Sequence, residues 1–202
     1  MLISPTTKTF PIKNDKVILC DTIKDSIEHE PQTGIQCLGR FNNKNGKLEA
    51  LPEHVLADLI PHYDIVLMEA DGSRWLSCKG WSDSEPVVPA YSTHTVGVAT
   101  IDVLGKTATD KTVHHLPEFL SLTGLSENDI ITEKVLEDMI CLPGGMFKNY
   151  SGNQYLLINK IESKKSEYAG KTLLENIRIN HLKRFKRLIC GSIQKNVWYE
   201  WN

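Results

Sequence analysis

Glu69 and Asp71 stand one residue apart at the end of an apolar run and lead into Gly72, Ser73 and Arg74. Alternate side chains of an extended segment share a face, so two carboxylates are expected to point into one small space. Holding like charges close costs free energy unless a divalent cation or a base compensates, which makes Mg2+ the natural occupant. Asp71 is the expected metal ligand, with Glu69 orienting water or metal. Gly72 would let the backbone turn sharply or approach a ligand. The plainer alternative is a solvated strand end, beside Arg74, that closes a turn.

Two further strand ends carry chemistry. Leu157-Ile158-Asn159-Lys160-Ile161-Glu162 has the form of an NKxD element that reads a purine base, with Asn159 facing the base and Lys160 and Glu162 beside it. Glu162 replaces the Asp of that element, and its longer arm would misplace the carboxylate that reads the exocyclic amine of guanine. Thr6, Thr7 and Lys8 follow the opening run, where hydroxyls and an ammonium could meet phosphate oxygens. A full GxxxxGK[ST] loop is missing. Gly170-Lys171-Thr172 and Gly105-Lys106-Thr107 have Lys165 and Thr100 in place of its first glycine, so both are expected to be surface loops. Adjacent His114 and His115 would point apart in an extended segment and make a poor metal pair. Lys183, Arg184, Lys186 and Arg187 read as a solvated face rather than a nucleic-acid site.

These residues need a scaffold that brings strand ends together. Strand character is expected at 2–4, 16–20 and 35–41, the last closed by a turn at Asn45-Gly46. Pro52 opens a helix that Pro61 ends. Residues 63–70 are apolar on both faces through the middle, the pattern of a central strand buried between helix layers. Similar runs occur at 95–100, 155–159 and 187–191, with helices at 116–122, 132–140 and 172–182, the second capped by Thr132. Strand and helix alternating in this way predict a mostly parallel sheet with helices on both faces. In such sheets ligands bind beyond the carboxyl ends of the strands.

A chain of 202 residues suits one domain, so 1–202 is expected to form a single α/β domain. A hydrophobic share of 41% with 24% charged residues excludes a disordered class, and a net charge of -2 gives no general pull onto nucleic acid or an anionic membrane. No apolar stretch reaches the roughly 18 residues that span a bilayer, and the first residues lack the pattern of a secretory signal. The cytoplasm is the expected compartment. Five scattered cysteines, Cys20, Cys37, Cys78, Cys141 and Cys190, suit reduced core thiols.

Glu69-Ala70-Asp71-Gly72-Ser73, then Lys79, then Glu85-Pro86-Val87-Val88-Pro89 resembles the YqeC family, accessory proteins of selenium-dependent molybdenum hydroxylases. The likeness continues through Gly97, Leu104-Gly105-Lys106, Val113-His114, Pro117-Glu118, Leu122-Thr123-Gly124, Ile131-Thr132, Pro143-Gly144-Gly145 and Asn159-Lys160. It implies a P-loop NTPase-like fold and a nucleotide-binding maturation role with Mg2+ and ATP or GTP as cofactors. Lys79 and Glu85, flanking the loop after the acidic strand, join Glu69 and Asp71 as candidate catalytic residues. They could form a surface ion pair or order that loop over a ligand.

The family places a first strand and a GxGGKT loop before the threonine segment, whereas Met1 stands where they should already have passed. Two explanations stay open, a natural start and a longer natural chain. Without that strand a slot is expected in the sheet, to be filled in a homodimer or by a protein partner from the hydroxylase maturation machinery. The alternative function is a non-catalytic, truncated NTPase-like binding or scaffold module.

Overall fold

Short apolar runs become strands, and polar starts with hydroxyl caps become helices, in the computed structural model, which describes residues 1–9, 17–20 and 34–201. The chain divides into two compact units, 1–72 and 73–202.

The first unit contains β1 (Leu2–Pro5), β2 (Lys8–Thr9), β3 (Val17–Cys20), β4 (Ile35–Leu38), β5 (Arg40–Asn42), β6 (Lys47–Glu49), α1 (Glu53–Leu59) and β7 (Val66–Glu69). Lys16, at the start of the predicted strand 16–20, lies outside the described residues. Four strands form a wholly parallel sheet in the order β3-β4-β1-β7. Register Pro5↔Glu69 brings the carboxyl ends of β1 and β7 side by side. A second, antiparallel sheet has the order β2-β6-β5. The predicted strand 35–41 is therefore two strands, split at Gly39. Leu2, Leu38, Leu51, Val55, Leu56 and Leu59 form the core.

The strand expected to be central is shorter and less covered than its pattern suggested. Pro61 sits inside a 3-10 turn, Ile60–His62, strand pairing starts only at Val66, and β7 has a strand neighbour on one side only among the described residues. Ile65 and Leu67 are consequently 54% and 51% exposed.

The second unit contains β8 (Cys78–Lys79), β9 (His94–Thr100), β10 (Val113–His114), α2 (Leu116–Thr123), α3 (Glu133–Cys141), β11 (Asn153–Asn159), α4 (Lys164–Asn180), β12 (Phe185–Ser192) and β13 (Val197–Trp201). Its main sheet runs β13-β12-β11-β9, with β9, β11 and β12 parallel and β13 folded back antiparallel. Thr132 caps α3 by accepting the Val135 N–H, as its sequence position predicts. Helix α4 begins eight residues ahead of the predicted Thr172, because Ser163 and Ser166 form a reciprocal capping box there. Gly170-Lys171-Thr172 is thus part of a helix and not a loop. Gly170 faces the core so closely that a Cβ would lie 2.6 Å from Ile161 Cδ1. Phe119, Ile131, Leu136, Ile140, Leu156, Ile158, Leu173, Leu174 and Ile177 fill the interior.

The architecture is mixed α/β with mostly parallel sheets. Among the described residues no helix is long and apolar enough to cross a membrane.

Candidate functional site

In the first unit the strand ends converge on Glu69. The Thr6 N–H and the Thr6 hydroxyl both donate to the Glu69 carbonyl, at 2.9 and 3.2 Å, so the segment after β1 is tied to the end of β7. The Glu69 carboxylate lies over Gly72, where a Cβ would sit 3.8 Å from Oε1. That is ordinary contact, so Gly72 is not required by space. Left-handed backbone occurs two residues after Gly72, at Arg74 (φ 53) and Trp75 (φ 67). Asp71 is half-buried and follows the last residue of β7, so strand alternation does not extend to it. Thr7 is half-buried beside Thr6.

Lys8 turns to Glu49 at 3.1 Å and shares that carboxylate with Arg40. Hydrogen bonds from Asn42, Lys8 and Arg40 pull the Glu49 carboxyl down to about 2. The ammonium that sequence assigned to phosphate is thus engaged within its own antiparallel sheet. Mg2+ takes one or two carboxylates and otherwise water and phosphate oxygens. Glu69 and Asp71 are the two carboxylates that follow this strand end, but with β7 ending at Glu69 the alternation expected to put them on one face is not extended to Asp71. Among the described residues no group of three or more His, Cys, Asp or Glu side chains forms a denser metal cage.

The second unit holds Lys79, Glu85, Asn159, Lys160 and Glu162. Strand β8 pairs with β10 in parallel, Lys79 opposite His114, and the Gly80 N–H donates to the His114 carbonyl at 2.8 Å. A Cβ on Gly80 would stand 2.3 Å from the Phe119 nitrogen and 2.5 Å from the His115 oxygen, so only glycine lets the chain pass against the first turn of α2. This contact buries Lys79, whose side chain is 5% exposed, and its Nζ meets Glu85 Oε1 at 3.1 Å. Of the two readings of this pair, the surface ion pair does not hold: the Lys79 end is interior.

Around it stand the Ser82 hydroxyl, which donates to Glu85 Oε2 at 3.3 Å, and the His115 Nε2 at 3.8 Å, while His115 Nδ1 faces Glu118 at 3.5 Å. Burial opposes the charge of Glu85, but its bonds to Lys79 outweigh that and hold its carboxyl below the ordinary value. His114 is lowered by burial and then by the positive charges of His115, Lys79 and Arg74. The two histidines do not point apart: His115 has a left-handed backbone (φ 55) that swings its ring to 4.1 Å from that of His114.

At the end of β11, the Asn159 side-chain oxygen accepts the Ile193 N–H at 3.1 Å and so fixes the strand end to the β12–β13 turn. Lys160 exits with a positive φ of 64 and meets Asp102 Oδ2 at 3.1 Å. Glu162 is exposed, and its backbone is engaged, with its N–H on the Ser166 hydroxyl and its carbonyl on Lys195. Asp102 was not singled out in the sequence. Its place two residues past the end of β9 was the available signal, because Asp71 stands at the same offset from the end of β7. Lys106, set aside with its glycine as a surface loop, also reaches Asp102 Oδ2 at 3.1 Å. Lys171, by contrast, pairs with Glu167 within α4 and lies over the Tyr199 ring. In the basic cluster, Arg184 donates to the Cys141 carbonyl and to Gln154 and packs against Phe147 and Phe185, while Arg187 pairs with Glu200.

Fold and site together describe an α/β protein with acidic and polar residues at the carboxyl ends of parallel strands. A profile of the YqeC protein family matches residues 1–117, more than half of the chain, and the chain belongs to that family. A relative from Escherichia coli strain K12, described as uncharacterized protein YqeC, is 26% identical over 164 residues. The aligned part covers 79% of this chain and 63% of that relative's length. No solved structure matches.

Proposed function

We propose that this protein is a nucleotide-binding accessory factor, of P-loop NTPase-like descent, for maturation of a selenium-dependent molybdenum hydroxylase in the cytoplasm. Asp71 holds Mg2+, Glu69 orients water or metal, and Thr6 and Thr7 meet the phosphates of ATP or GTP. The observation that carries this reading is the β1–β7 strand end, where parallel register and the bonds from Thr6 to the Glu69 carbonyl hold Thr6 and Glu69 side by side in a YqeC-family chain. The same reading has a partner chain, a second copy or a component of the maturation machinery, pair with strands that have one neighbour among the described residues. Each unit offers one, β7 with exposed Leu67 and β9 with exposed Val96 and Val98.

A non-catalytic binding module is the second reading. It is favoured by the engagement of Lys8 with Glu49 and of the Asn159 oxygen with the Ile193 N–H, which removes two groups from ligand contact. Calorimetric titration separates the two. Saturable, Mg2+-dependent binding of ATP or GTP that is lost in Asp71→Asn supports the first, and absence of binding by either nucleotide supports the second.

A further inference from the structure

The carboxyl ends of β9 and β11 carry a charge arrangement that the Mg2+ and phosphate contacts proposed for the first unit do not use. After Thr100 the chain enters a 3-10 turn, Ile101–Val103, that buries Ile101 and Val103 and leaves Asp102 partly exposed between them. Lys106 from the following loop and Lys160 from the end of β11 both place Nζ 3.1 Å from the same oxygen, Asp102 Oδ2. The Ser77 hydroxyl donates to that oxygen at 3.3 Å and accepts from Lys106 at 3.4 Å. Asp102 Oδ1 is buried and accepts no hydrogen bond. The two lysines and Ser77 therefore meet at one corner, and the two ammoniums are at most about 6 Å apart.

Two features separate this from a casual surface pair. One carboxylate against two ammoniums leaves an excess positive charge, and each ammonium has three donors, of which Lys160 spends one on Asp102 and Lys106 spends two on Asp102 and Ser77. Both lysine side chains are close to half exposed, at 45% and 43%. Lys160 also occupies a left-handed backbone position that glycine would take without strain. Such strained positions gather at functional sites, and ligands of parallel sheets gather at this end of the strands.

We propose that Lys106 and Lys160 bind a phosphate oxyanion at the ends of β9 and β11, with Asp102 as the positioning residue that holds the two ammoniums together. A tetrahedral oxyanion can take one of the remaining donors of each lysine while both ammoniums stay on Asp102 Oδ2.

The test follows backbone amide resonances while inorganic phosphate is added without magnesium, against sodium chloride at equal ionic strength. A magnesium nucleotide in the first unit has no part in that titration, so the two proposals stand or fall separately. The expected result is a saturable shift centred on Gly105, Lys106 and Lys160. Lys106→Gln and Lys160→Gln should each weaken it at least about tenfold, the loss expected for a charge-assisted hydrogen bond, while Lys171→Gln leaves it unchanged. Should Lys160→Gln fail to fold, Lys106→Gln on its exposed loop decides alone. Adenosine monophosphate shifting the same amides would extend the site to ligand-borne phosphate. No saturable shift, or equal shifts in wild type and both lysine variants, would overturn the proposal.

Discussion

Lys79 is a buried ammonium held by a carboxylate that still touches solvent, and that asymmetry fixes what its mutation should do. Removing Glu85 leaves a charge in the interior without its partner, which costs several kcal/mol when fully buried and less when water can approach. Glu85→Gln should therefore destabilise by roughly 3 kcal/mol, and Lys79→Met in the Glu85→Gln background should recover part of the loss. Urea unfolding of the three variants checks this. Because the Glu85 carboxyl is held below its ordinary value of 4.5 in the folded state, its stabilisation is present above that pH and is lost as pH falls through the lower, folded value. The gap between wild type and Glu85→Gln should be full at neutral pH and shrink well below 4.5. A gap that stays constant into acid would mean that the ion pair is not its origin. Asp102 adds to the same acid sensitivity: burial works against its charge, but bonds from Thr100, Lys106 and Lys160 hold its carboxyl at about 2.

Helices and strands place these residues by close approach. Gly80→Ala puts a methyl into the backbone of the first turn of α2, which cannot move as a side-chain tip can, and should cost about 3 kcal/mol. Gly144→Ala meets only Leu122 Cδ1, at 3.2 Å, and should be close to neutral. Thermal unfolding compares the two. At the β9 edge, Val98 is half exposed on a strand with one neighbour among the described residues, so Val98→Lys should lower self-association or partner capture in light-scattering measurements without lowering the melting temperature.

Much of this layer was legible in the sequence. The apolar runs at 95–100 and 155–159 and the Thr132 cap identified β9, β11 and α3 almost to the residue. Helix α4 was harder, because its first turn is polar and its second meets the core only through the small residues Ala169 and Gly170, so the Ser163–Ser166 box is the main signal of its start. The status of β7 was misread since an apolar run on both faces looks the same whether or not a neighbouring strand exists. Burial of Lys79 was hidden for a similar reason: it depends on Gly80 meeting α2, a contact between residues far apart in sequence.

At the scale of the molecule, two compact units each carry their own parallel sheet and their own polar strand ends. Family membership rests on residues 1–117, which include all of the first unit and the Lys79–Glu85 pair of the second. The metal-nucleotide reading concentrates on the first unit and on Asp71. The most direct test is calorimetric titration of the chain with ATP and GTP, with and without Mg2+, in wild type and Asp71→Asn. The account predicts saturable, Mg2+-dependent binding to wild type that weakens at least about tenfold in the variant, equivalent to about 1.4 kcal/mol. No binding of either nucleotide up to about 1 mM, or equal binding by Asp71→Asn, would contradict it.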